Sequence, residues 1–468
     1  MRTLFLNPPS FARFDSAGAR FAATRKTHSL WYPAWLGYAA ALVPKSRLLD
    51  CPAENMPLEK LLKKVKRYDL IIIYTSTPSF WNDVGVAESI KEKHPQAKII
   101  FTGPHVSVLP KESLKATEAI DAVARKEFEE TVLEISQKKP WKKIKGLSFK
   151  IGEKIIHNPD RPPSTNLDKI PLVSRIYKRD LPIDSYHLPF ALHPYIAIYA
   201  GRGCPHRCTF CLWPQTFTGR VYRHRSVVNV IEEIKWIQKN LPQIKEIFFD
   251  DDTFTINKRW VREFCDAIAP LKVTWSANAR ADISPLLLKK MKGAGCRVLV
   301  VGYESGDIQI LRNIKKGLTI SQMKRFTREA KKAGLMIHGT FVLGLPGETK
   351  KTIEKTYQFA VGLDPDTIQI STATPFPGTE LYDYCQKKGY LGKASLVDQA
   401  GYQISTISYP HLSAQEISDA VEKLHLRFYF RPAYITKTAK TALSGWEETK
   451  RIAISSWEFG KYLIRTKI

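Results

Sequence analysis

The chain is poor in cysteine: seven among 468 residues, three of them within eight positions. That is too few and too uneven for a disulfide framework, and it favours a metal site in a reducing compartment. No apolar run reaches about 18 residues, so no segment reads as a transmembrane helix. The stretch MRTLFLNPPS carries a short apolar patch without the apolar core and cleavage site of a signal peptide; the expected location is cytoplasmic. Low-complexity tracts and internal repeats are missing, which excludes disordered and solenoid classes. Acidic residues are scarce, 45 against 72 basic ones, for a formal charge of +27. Such a surplus suits nucleic acid, an anionic membrane surface, or a generally basic exterior. No nucleic-acid-binding module is visible, so the membrane surface is the favoured partner and nucleic acid is not expected.

What is present has the pattern of an α/β protein too long for one core. Residues 1–150 alternate apolar strands (3–6, 47–50, 70–75, 98–102 and 119–124) with helix-like stretches such as 84–93 and 127–138. This predicts a Rossmann-like, doubly wound parallel sheet. Seven prolines between Pro159 and Pro194 mark 151–194 as a linker. A second series fills 195–405, with strands at 195–201, 246–250, 272–277, 297–302, 336–343 and 367–371 and helices between them. Six strand–helix units predict a partial (βα)6 barrel whose chemistry sits at the C-terminal strand ends. Residues 406–468 read as a helical tail opened by a capping box, Ser413 to Glu416. Its Arg427, Phe428, Tyr429, Phe430, Arg431, Trp446, Trp457, Phe459, Tyr462 and Arg465 interleave charge with aromatics. Such helices either lie on lipid or dock their aromatics on the enzyme.

After the first barrel strand comes Gly201-Arg-Gly-Cys204-Pro-His-Arg-Cys208-Thr-Phe-Cys211. Thiolates are soft ligands suited to iron–sulfur clusters. Three cysteines on a [4Fe–4S] cluster leave one iron open, able to chelate the amino and carboxylate groups of S-adenosylmethionine (SAM). Zinc, with His206 as fourth ligand, is the competing reading, but His206 lies inside the tight loop. Cys-x3-Cys-x2-Cys at a strand-to-helix turn, with Phe210 before the third cysteine, resembles the radical SAM signature.

Further candidates fall at successive strand ends. Asp251 and Asp252, in Asp-Asp-x-Phe, are placed to hold the SAM ammonium; acidic helix caps are the alternative. Asn278 and Arg280 follow the third strand, where Arg280 can pair with the SAM carboxylate. Glu304 and Ser305 follow the fourth, Glu304 as acceptor for the ribose hydroxyls. Gly344, after the fifth, lets backbone approach the adenine. Asp251, Asp252 and Glu304 are the candidate catalytic residues; His338 reads as a core histidine.

The barrel resembles that of the cobalamin-binding-domain branch of the radical SAM superfamily, and 1–150 resembles its N-terminal domain. More narrowly, LFLNPPS (4–10), YTSTPSF (74–80), HPYIAIYAGRGC (193–204), CTFCLWPQT (208–216), IHGTFVLGLPGETK (337–350) and RFYFR (427–431) resemble the hopanoid-biosynthesis radical SAM enzymes that form bacteriohopanetetrol cyclitol ether. The resemblance implies a glucosaminyl hopanoid substrate, radical ring contraction of its sugar, and a reductant such as flavodoxin or ferredoxin. It also implies peripheral association with the inner face of the membrane. The chain departs from the wider branch where Gly-Gly-Pro-His and Gly-Glu-Gly-Glu are usual. It reads Thr102-Gly103-Pro104-His105 and Lys126-Glu127-Phe128-Glu129, and it has no Asp-x-His-x-x-Gly cobalt-ligand motif. Phe128 would crowd the site, so cobalamin is not expected although its fold is. A cobalamin-dependent radical SAM methyltransferase acting on an apolar substrate is the alternative. A non-catalytic, basic iron–sulfur protein that binds nucleic acid is a third reading.

Overall fold

The computed structural model describes residues 1–10, 29–392, 396–397, 403–443 and 445–465, with the side chains of Tyr462, Leu463 and Arg465 outside that set. The N-terminal sheet contains β1 (Thr3–Asn7), β2 (Ser46–Asp50), β3 (Leu70–Tyr74), β4 (Lys98–Thr102), β5 (Ala122–Ala124), β6 (Leu147–Ile151) and β7 (Lys154–His157). Its order is β2-β1-β3-β4-β5-β6-β7, parallel through β5 and antiparallel at the β5–β6 and β6–β7 pairings. All five residues of β3, Leu-Ile-Ile-Ile-Tyr, are buried, as a parallel strand covered on both faces requires. The doubly wound expectation holds, and β6–β7 is an addition: the sheet runs on to His157, past position 150.

The proline-punctuated segment is more than a linker. It contributes β7 and the helix Val173–Asp180. Tyr32 stacks on Tyr186 at 4.0 Å and lies 4.6 Å from Tyr177, and all three rings are fully buried. Tyr186 donates to Asp50 at 2.7 Å and Tyr32 to the Tyr195 carbonyl at 2.9 Å. The segment therefore cements the two domains into one continuous core.

The second sheet comprises β8 (Tyr195–Ile198), β11 (Glu246–Phe249), β12 (Trp275–Ala279), β13 (Cys296–Glu304), β14 (Met336–Leu343) and β15 (Thr367–Thr372). β9 (Gly201–Arg202) and β10 (Arg223–His224) form a separate small hairpin. The order β15-β14-β13-β12-β11-β8 is parallel throughout, and β8 and β15 are not paired, so this is the expected partial barrel. Side-chain caps start its helices: Ser226 on Val227–Asn240, Asn257 on Lys258–Ile268, Ser284 on Pro285–Gly293, Thr319 on Ile320–Lys332 and Thr349 on Lys350–Leu363. Each satisfies a backbone N–H that the first helical turn leaves open.

The tail divides. Helix Ala414–Tyr429 has the expected capping box and covers the free edge of β15. Ile368 N–H donates to the Tyr429 hydroxyl at 2.9 Å, and that hydroxyl donates to the Ile368 carbonyl at 2.7 Å. Ile370 N–H donates to His425 Nε2 at 3.0 Å. Side chains here do what another strand would do for an open edge. Arg427 makes a bidentate pair with Glu354, and Phe428 is buried. These residues dock on the enzyme, whereas Phe430, Leu443, Trp446 and Trp457 stay exposed on the last two helices and their approach. Among the described residues no helix is long and apolar enough to cross a membrane. His338 is buried beside Phe190, its ring bonded to Thr367 at 2.7 Å, a core histidine as expected.

Candidate active site

The cysteine loop runs from β9 to the short helix Leu212–Thr216. Gly203 turns it with φ +85°, and a Cβ there would collide with the Val221 carbonyl oxygen, so only glycine fits. Cys204 N–H donates to the Gly219 carbonyl at 3.3 Å and Arg220 to the His206 carbonyl at 2.9 Å. The Gln215 amide gathers the loop's end, donating to the Thr209 and Cys211 carbonyls at 3.1 and 2.7 Å. Its oxygen accepts from Glu380 N–H at 3.0 Å. The sequence signal for Gln215 was its place in CTFCLWPQT, but its role needed the fold.

All three cysteines are free, and Cys204 and Cys208 are buried. Burial pushes the Cys204 and Cys211 thiols up, and the neighbouring thiols push the same way. Such a set becomes thiolate only on binding metal. Among the described residues no three His, Cys, Asp or Glu side chains are arranged around one ion. A cubane takes its three thiolates on three different irons, so they need not converge on one point. Burial lowers the His206 pKa to about 4, so it is uncharged beside the loop.

At the end of β11, Asp251 is fully enclosed. It accepts from Ala200 N–H at 2.8 Å and the Tyr222 hydroxyl at 3.3 Å, and burial pushes its pKa up to about 8. These bonds anchor Asp251 to the residues after β8 and to the segment before β10. Asp252 accepts from Gly203 N–H and the Thr218 hydroxyl, both at 3.0 Å, which ties it to the cysteine loop. Asn278 donates to Asp250 at 3.1 Å and to the Asp251 carbonyl at 2.9 Å. Ser305 is bonded to Thr356 at 3.1 Å and buried, so it serves packing. Gly344 has φ +86° and faces Ile417, 3.1 Å from where its Cβ would be; the tail helix, not open space, lies against it. Phe210 is half-buried against the core.

Arg280 and Glu304 come together through a residue the sequence did not single out, Lys316. Its ammonium lies 2.7 Å from Glu304 Oε1, and each residue is 7% exposed. Arg280 donates to the Lys316 carbonyl and lies 3.3 Å from Asp282. Glu304 sits at a register shift in β13 with φ +66°, a strained backbone that the ion pair helps hold. Arg280 and Glu304 thus lie just past β12 and at the end of β13, with Lys316, from between the two following helices, beside them.

The profile described as Radical SAM superfamily matches residues 198–360, and that of the B12 binding domain matches 22–136. An uncharacterized methyltransferase of Pyrococcus horikoshii is 32% identical over 454 residues, 93% of this chain and 94% of its own length. The chain belongs to the radical SAM superfamily, in the branch with a B12-binding domain. A further relative of this radical SAM protein is the anaerobic magnesium-protoporphyrin IX monomethyl ester cyclase of Cereibacter sphaeroides. It is 27% identical over 92% of this chain and 71% of its own. Among solved structures, the cobalamin-dependent radical enzyme OxsB, with aqua-cobalamin and SAM bound, superposes with a TM-score of 0.70 at 14% identity, covering 99% of this chain and 71% of that one. The methyltransferase TsrM of Kitasatospora setae, with cobalamin and cluster bound, gives 0.62 at 16% identity, over 90% and 81%. At those identities the likeness is one of fold.

A radical SAM enzyme uses a [4Fe–4S] cluster and SAM, and the soft thiols of Cys204, Cys208 and Cys211 are a donor set that fits such a cluster. In doubly wound sheets ligands bind beyond the C-terminal strand ends, and among the described residues aromatic side chains pack together there. Tyr74 and Phe128 meet Phe217, each at 6.3 Å between centroids; Trp35 lies 4.8 Å from Phe217 and 6.0 Å from Trp213. A cavity of about 10 Å³, room for one water, lies among Trp35, Tyr199, Gly201, Arg202, Trp213 and Asp252 beside the cysteine loop. Phe128 is fully buried at the position where the branch has glycine.

Proposed function

We propose that this radical SAM enzyme rearranges a sugar carried on a hopanoid, contracting glucosaminyl bacteriohopanetetrol to its cyclitol ether without cobalamin. The observation that supports a cobalamin-free reading is the aromatic packing of Trp35, Tyr74, Phe128 and Phe217 at the B12-type site. The substrate class rests on the resemblance of strings such as CTFCLWPQT.

Bound and reduced, the cluster and SAM supply a 5′-deoxyadenosyl radical, a strong acceptor of hydrogen atoms. The chain's residues position. Arg280 and Lys316 offer cations to a carboxylate, Glu304 accepts from hydroxyls, and Lys316 fixes the orientation of Glu304. On the substrate, loss of the C5 hydrogen lets the bond between C1 and the ring oxygen break, leaving a C5 ketone and a C1 radical. C1 then bonds to the carbonyl carbon, closing a five-membered ring and leaving an alkoxyl radical, which takes one electron from a reductant of the flavodoxin or ferredoxin class and one proton to become a hydroxyl. The product is an isomer of the substrate. Holding both ends of the opened sugar within near-attack distance is the main demand on the protein.

The lipid substrate would be met at a membrane surface. In support, Trp446 and Trp457 are 77% and 67% exposed, beside the exposed Lys440 and Lys450; each such cation near an anionic leaflet adds ~1 kcal/mol. Truncation near residue 410 would strip the cover from β15, so the test is Trp446→Ser with Trp457→Ser. Binding to phosphatidylcholine–phosphatidylglycerol vesicles should weaken at least about fivefold, near 1 kcal/mol. Unchanged binding returns these helices to packing.

A second reading, methyl transfer through cobalamin, is favoured by the B12 binding domain match, the cobalamin-bound structures OxsB and TsrM, and the Pyrococcus relative's designation as a methyltransferase. Anaerobic incubation of reduced enzyme with SAM and glucosaminyl bacteriohopanetetrol separates the two. Ring contraction gives a product of unchanged mass, shifted retention and resistance to acid hydrolysis. S-adenosylhomocysteine with a product heavier by one methylene, or bound cobalamin in the absorbance spectrum, would establish the second.

A further inference from the structure

The cysteine loop is slung from the β9–β10 hairpin, where Arg202 pairs with Arg223. From the N-terminal domain, the turn after β5 brings Glu127 and Glu129 to the same place. Arg202 Nη1 lies 2.5 Å from Glu129 Oε1 and 3.9 Å from Glu127 Oε2. Arg223 makes a bidentate pair with Glu127, at 2.5 and 2.9 Å, and donates to the Thr218 carbonyl at 3.0 Å. The Arg202 guanidinium also lies over the rings of Trp35, at 4.4 Å, and Tyr38, at 5.1 Å. All four charged side chains are at most 9% exposed. The turn is itself pinned: Lys126, at φ +58°, donates its N–H to Ser107 at 2.7 Å.

A buried ion tetrad is weak evidence for stability alone, because desolvation offsets most of the attraction and apolar residues often serve as well. What it does give is direction. Bidentate arginine–carboxylate pairs fix angle as well as distance; Arg223–Glu127 is such a pair on β10, and the Arg202–Glu129 ion pair holds β9, one residue before Gly203 and two before Cys204. Asp252, which lines the same small cavity as Arg202, holds Gly203 N–H from the barrel side. The loop is thus held from both domains.

We propose that Glu127 and Glu129 are positioning residues for the cluster: acting through Arg202 and Arg223, they make the B12-type domain a mount for the cysteine loop in place of a corrin holder. This rests on the radical SAM assignment and not on the hopanoid substrate, so the two fail separately.

The test uses full-length, anaerobically reconstituted Glu127→Gln and Glu129→Gln proteins, with Glu130→Gln, which pairs with Arg161 at the surface, as control. Three quantities are read: iron loss to a chelator, the electron paramagnetic resonance signal of the reduced cluster with and without SAM, and melting of the apoprotein. Both interface variants should lose iron about tenfold faster than wild type, equivalent to 1.4 kcal/mol in holding the loop, with a displaced resonance signal; the control should do neither. Lower melting temperatures with wild-type iron retention and signal would overturn the proposal, leaving an ordinary interface. Should Glu129→Gln not fold, Glu129→Asp keeps the charge but retracts it by one methylene. It should fold and still show faster iron loss, and wild-type loss in it would equally overturn the proposal.

Discussion

Replacing Lys316 with methionine would leave the Glu304 carboxylate buried without its cation. The pair is separated by 2.7 Å, with both partners 7% exposed. At an effective dielectric near 20 its gross attraction is about 6 kcal/mol, and removing one partner of such a pair costs about 3–5 kcal/mol once desolvation is counted. Lys316→Met should therefore lower apoprotein stability in denaturant by that amount. Glu304→Gln in the Lys316→Met background should recover more than about 1 kcal/mol of it, a coupling that a double-mutant cycle isolates. Because the pair also orients the acceptor for SAM, equilibrium dialysis should show SAM affinity at least about tenfold weaker in Lys316→Met, near 1.4 kcal/mol. A stability loss below about 1 kcal/mol with no coupling to Glu304, or SAM affinity equal to wild type, would refute the pairing as a SAM-binding device.

Burial pushes Glu348 up to about 7 from an ordinary 4.5. A carboxyl raised on folding stabilises fully below its unfolded pKa and loses that contribution as pH rises through the folded value, so Glu348 should remove up to about 3 kcal/mol between pH 4.5 and 7. Glu348→Gln should flatten that interval relative to wild type in apoprotein urea titrations, and parallel curves would contradict the assignment. Tyr429→Phe removes both hydrogen bonds on the Ile368 backbone and should destabilise by about 1–3 kcal/mol. Hydrogen exchange at Ile368 should accelerate, and unchanged protection would mean that the edge of β15 is satisfied elsewhere. With C5-deuterated substrate, deuterium should enter 5′-deoxyadenosine; its absence there, with product still formed, rules out the route through C5.

Continuous apolar runs such as 70–74, bounded by breakers and followed by helical periodicity, sufficed to place the parallel strands within a few residues. The Ser413–Glu416 capping box placed the start of the tail helix. The cysteine loop was equally legible, because its ligands are local in sequence. Groups whose partners are set by tertiary folding were not. Lys316 looked like one more surface lysine until β13 brought Glu304 over it. Glu127 and Glu129 were noted only for the Phe128 between them, yet they meet Arg202 and Arg223 from the other domain. The β6–β7 hairpin was missed because its strands are short and part-exposed, with little hydrophobic contrast for a period-two pattern. In the tail, Phe428 and Tyr429 have the same spacing as interfacial aromatics; only the unpaired edge of β15 decides that they point inward. Asp251 is a related case: a carboxylate at a strand end suggests a ligand contact, and only the fold brings Ala200 and Tyr222 to it.

The most direct test of the account is Mössbauer spectroscopy on anaerobically reconstituted, iron-57-labelled protein, before and after SAM is added. Three thiolates from Cys204, Cys208 and Cys211 predict a cubane in which one iron changes its signal when SAM binds while three do not, and which Cys208→Ala fails to assemble. A protein that assembles no cubane, or one whose four irons all ignore SAM, would contradict it.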